Sequence, residues 1–119
     1  MWMSDLDHMV AYSVAALASR DDNRIKSLVR DLAEDWPAQT ALTVSFALTS
    51  AAAELEGPSV ADKDAANTAY RLASLVAADV MAIEAMGQSN AKTTHLLQFW
   101  RRIDPFFIKN AGPQFIPSL

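Results

Sequence analysis

There is no cysteine in this chain, which excludes disulfides, thiolate metal sites and cysteine nucleophiles. Glycine is nearly as scarce. The three, at positions 57, 87 and 112, are too scattered to build a phosphate-cradling loop. No serine stands in a Gly-x-Ser-x-Gly elbow. None of Glu34, Glu54, Glu56 and Glu84 is followed three residues later by histidine, the spacing with which helical bundles hold paired metal ions. The two histidines, His8 and His95, fall on the outer faces of different predicted helices. Asp5-Leu6-Asp7-His8 groups possible ligands, but at a helix start, where acids are favoured on electrostatic grounds. The expectation is therefore no catalytic constellation, no metal and no cofactor.

Positive charge is also short. Ten Lys and Arg stand against fourteen Asp and Glu, a net charge of −4, which argues against general affinity for nucleic acid or anionic membrane. A helix-turn-helix reading of the second and third helices fails because the supposed recognition helix carries no Lys or Arg. Long apolar runs are missing too. Trp36 to Ala53 is uncharged, but Gln39, Thr40, Thr43, Ser45, Thr49 and Ser50 make it too polar to span lipid. Met9 to Ala18 ends in Ala16-Leu17-Ala18 like a secretory leader, yet Asp5 and Asp7 occupy the place of a basic segment, so it reads as a first helix. A cysteine-free, acidic chain of this kind suits the cytoplasm.

What is present is apolar substance: 51% hydrophobic and 20% charged residues over 119 positions, the profile of one globular domain spanning residues 1–119. Helical periodicity runs through most of it. Ser4 caps a first helix whose face is Leu6, Val10, Val14 and Leu17, with Met9 and Ser13 beside it and Tyr12 opposite. Asp21 or Asp22 caps a second, with the stripe Ile25, Leu28, Val29, Leu32 and Trp36. A third runs from Pro37 to Glu56. Its two apolar faces, Ala41–Val44–Leu48–Ala52–Leu55 and Leu42–Phe46–Ala53, place it in the middle of a bundle. Gly57-Pro58 breaks the chain, and Ser59 with Asp62 then caps a long helix ending at Met86 and Gly87. A fifth begins after Ser89 or Asn90 and stops before Pro105, burying Leu96, Leu97, Trp100 and Ile103. The expected fold is all-α: an antiparallel four- to five-helix bundle with an irregular aromatic C-terminal tail packed on it.

Two features bear on function. Asp79 lies at the edge of the Leu72–Val76–Val80–Ile83 stripe. It is either an anchor for a small molecule between helices, with His95 and Arg101, or an edge acid that reaches water or pairs with one of those two residues. The other feature is a division of charge. Residues 1–90 carry six Lys or Arg against thirteen Asp or Glu, whereas residues 91–119 carry Lys92, Arg101, Arg102 and Lys109 against Asp104 alone. In the last helix Lys92, His95, Phe99 and Arg102 share the side opposite the buried stripe, a contact surface suited to an acidic protein partner. The back of the fourth helix presents Ser74, Ala78, Met81 and Ala85, too apolar for a solvated face, which predicts a homodimer. A non-enzymatic, self-associating interaction protein is the expected function. A small-molecule binder or enzyme with a pocket near Asp79 is the alternative.

Overall fold

The Ser4 hydroxyl accepts the Asp7 N–H at 3.2 Å while the Asp7 carboxylate accepts the Ser4 N–H at 3.1 Å, a reciprocal cap that starts α1 (Asp5–Ala18). In the computed structural model, which describes residues 4–109, α2 (Asp22–Asp35) opens on a one-way cap, with Asp21 accepting the Asn23 N–H at 2.9 Å. α3 (Ala41–Leu55) follows, and Ser59 then caps α4 (Val60–Ala85) through the Asp62 N–H at 3.0 Å. Gly87, at φ 107°, provides the left-handed residue that ends α4. α5 (Thr93–Arg102) and the single turn α6 (Phe106–Lys109) complete an all-α, bundle-like fold. No helix among the described residues is long and apolar enough to cross a membrane.

Three inter-helix bonds fix the pairing. Tyr12 donates to Asp31 at 2.8 Å, Ser45 donates to the Ala73 carbonyl at 2.8 Å, and Trp100 donates to Asp79 at 2.9 Å. Each joins residues at comparable distances on either side of the turn between its helices, which only an antiparallel pair allows. α3 and α4 form the central hairpin, α1 lies on α3, and α5 bridges α2 and α4. Met9, Leu28, Leu32, Val44, Leu48, Val76, Leu96 and Trp100 are fully buried where these helices converge. Each such side chain contributes roughly 1.5–3 kcal/mol of hydrophobic stabilisation. The buried hydroxyls are paired: Ser13 donates within its own helix to the Met9 carbonyl at 2.8 Å, and Thr93 donates across the fold to the Trp36 carbonyl at 2.9 Å.

The structure departs from the periodicity in five places. Residues 37–40 form a turn, not the start of the third helix. There the Gln39 carbonyl accepts the Thr93 N–H at 3.1 Å and the Ala41 N–H bonds to the Ala91 carbonyl at 2.8 Å, so this backbone is committed across the fold. The same contacts delay α5 until Thr93. On α1 the buried line is Met9–Ser13–Ala16–Leu17, with Leu6, Val10 and Val14 half-buried. Tyr12 lies between helices, against Trp36 at a ring distance of 6.1 Å.

α3 is central but not enclosed. Leu42 and Phe46 are 57% and 56% exposed, and Ala53 is exposed with them, because α1, α4 and α5 all close on the opposite, small-residue side. Finally, the segment after Pro105 begins with the helical turn α6. Its Phe107 is buried against Trp100 at 5.1 Å. The rest of the aromatic tail lies outside the described residues.

Candidate functional site

Asp79 points inward from α4 and is half-buried. Its Oδ2 accepts the Trp100 Nε1–H at 2.9 Å. Burial pushes this carboxyl above its ordinary value. The indole hydrogen bond opposes that shift, and Asp104 reinforces it. The sequence pointed to Arg101 or His95 as its partner, and Trp100 takes that place. His95 Nδ1 accepts the Lys92 N–H at 2.8 Å instead, serving as a helix cap, and Arg101 is exposed. Asp79 lines none of the clefts detailed below, so its visible work is to fasten α5 to α4.

The back of α4 lies open as its periodicity predicts. Ser74, Ala78, Met81 and Ala85 are all exposed and follow one another at helical spacing, Met81 at 69%. Tyr70 continues the strip toward the start of the helix and donates to Glu56 at 2.6 Å. A shallow depression of about 290 Å³ lies there, lined by Tyr70, Arg71, Ser74 and Leu75.

Where α4 ends, it meets α5 in a groove of about 200 Å³. Ile83 and Phe99 form the floor, while Met86 and Ile103 stand on the rim at 62% and 58% exposure. Gln88, His95, Gln98 and Arg102 complete the lining, which contains no carboxylate. Phe99 was expected outside, with Lys92 and Arg102, but is only 9% exposed. α5 is gripped by α2 on one side and α4 on the other, so its buried arc is wider than a single stripe, and Ile103 falls outside that arc.

A larger cleft of about 430 Å³ opens at the other end of α4. Leu17 of α1, Ile25 of α2 and Leu55 of α3 supply its apolar surface, and Asp22, Asp62 and Asp64 surround it with Arg20. Arg20 sits at φ 59°, a left-handed conformation that costs on the order of 1–3 kcal/mol outside glycine. Gly57 has a local role here, since a Cβ at that position would run into the Asp62 carboxylate. A further opening, about 400 Å³, lies along the exposed side of α3 between Leu6, Leu42 and Phe46. The acid-rimmed cleft was not legible in the sequence, because its lining comes from four helices distant along the chain, whereas the opening on α3 is lined by residues 40–49 with Leu6 alone from elsewhere.

Among the described residues no three His, Asp or Glu side chains are grouped so as to hold a metal ion. No protein-family model, curated protein or solved structure matches this chain.

Proposed function

We propose that this chain is a non-enzymatic helical interaction protein that forms a homodimer through the outward face of α4. The observation that carries the reading is the unbroken exposed strip Ser74–Ala78–Met81–Ala85, with Met81 at 69% exposure. Small residues on such a strip let a second helix backbone approach closely, and a two-fold axis near Met81 sets that side chain against its own copy. Water is then removed from an apolar line that α4 otherwise leaves exposed. A cysteine-free composition fits work in the reducing cytoplasm. Lys92 and Arg102 leave α5 suited to an acidic partner surface.

Sedimentation at tens of micromolar and about 1 M salt, where rim charges are screened, tests the dimer. The native chain is expected to run as a dimer, and Ala78→Glu and Ala85→Glu as folded monomers. A monomeric native chain, or two variants that remain dimeric, would overturn the reading.

A further inference from the structure

The two ends of α4 carry complementary surfaces. At its start Asp62 and Asp64 join Asp22 around the cleft floored by Leu17, Ile25 and Leu55, and Arg20 is the single base in that lining. At its end the exposed Met86 and Ile103 stand beside His95 and Arg102, with no acid in the groove lining. About 30 Å of helix axis separates Asp64 from Met86, so the two surfaces face different neighbours.

We infer that they meet between molecules: the exposed side chains on the groove rim of one copy, Met86 and Ile103, dock head-to-tail in the acid-rimmed cleft of a second copy. The apolar side chains supply the buried contact, and Arg102 against Asp22, Asp62 and Asp64 sets its orientation and speeds encounter. The contact joins unlike patches, so each bound pair retains one free cleft and one free rim. Association therefore continues until a ring closes or a chain extends. This mode uses none of the α4 strip Ser74–Ala78–Met81 and stands independently of the two-fold dimer.

The experiment is sedimentation at low salt in an Ala78→Glu background, which removes the two-fold contact. That parent is expected to form a concentration-dependent series of species that shrinks as salt rises. Adding Asp64→Lys blocks the cleft, and adding Met86→Ser with Ile103→Ser removes the apolar rim. All three positions are exposed, so both derivatives should keep the parent's circular dichroism. Each derivative alone should run as a monomer, and an equimolar mixture, which restores one intact cleft and one intact rim, should give dimers and nothing larger. A monomeric parent, a blocked derivative that still associates, or a mixture that stays monomeric overturns head-to-tail docking. None of these outcomes bears on the dimer measured at high salt.

Discussion

The indole N–H of Trp100 donates to the Asp79 carboxylate at 2.9 Å, joining the last long helix to α4 through the bulkiest fully buried side chain of the core. The bond leaves Trp100 satisfied in an apolar setting but holds an ionisable group half-buried beside it. That compromise has measurable consequences.

Because burial raises the folded Asp79 carboxyl above its unfolded value, stability from this group falls as pH rises through that interval. There the unfolded chain has released its proton while the folded chain still binds it. Asp79→Asn retains an acceptor for Trp100 without the charge, so it should match or exceed the native stability near neutral pH and remove this slope. Asp79→Ala leaves the indole N–H unpaired and should cost about 1–3 kcal/mol. Urea unfolding from about pH 3 to pH 7 decides it, and an Asn variant with the native slope would count against the assignment.

Leu48 and Phe46 lie on one helix with opposite fates, the first fully buried and the second 56% exposed. Leu48→Asp forces an unpaired charge into the core and should abolish the folded state, a loss above about 4 kcal/mol. Phe46→Asp should change stability by less than about 1 kcal/mol. Circular dichroism with thermal melting compares them, and a folded Leu48→Asp protein would remove α3 from the centre of the fold.

Tyr12 carries a phenol pushed up to about 12, first by burial and then by its bond to Asp31. Tyr12→Phe should cost about 1 kcal/mol at neutral pH, the net worth of one hydrogen bond, since Ser27 still reaches Asp31 at 3.0 Å. The native chain should also lose stability as pH climbs from the ordinary tyrosine value toward 12, where only the unfolded phenol has ionised. The Phe variant lacks that contribution. Equal alkaline slopes in chemical denaturation would refute it.

Gly87 has nothing within 4 Å of the place a Cβ would occupy, but its φ is 107°. Gly87→Ala should therefore cost about 1–2 kcal/mol through backbone strain alone, with no steric clash to relieve. A melting temperature equal to that of the native chain would mean that the end of α4 can rewind without penalty.

The sequence by itself determined where α1, α2 and α4 begin and where α4 ends. The Ser4, Asp21 and Ser59 caps and the Gly87 stop act over two or three residues, so local order suffices to write them. The outward strip of α4 was legible for the same reason: once Leu72, Val76, Val80 and Ile83 face the core, helical geometry puts Ser74, Ala78, Met81 and Ala85 outside. Only the tertiary structure decided which other faces close. Phe99 went inside and Leu42 and Phe46 stayed out because burial depends on which helices arrive, not on a residue's own periodicity. The turn at residues 37–40 exists because Gln39 and Ala41 bond to backbone 54 and 50 positions away, and such partners leave no local pattern. The acid-rimmed cleft has the same origin. Its walls come from the ends of four helices, each ordinary alone, and it exists only because packing brings Leu17, Ile25, Leu55 and Asp64 to one place.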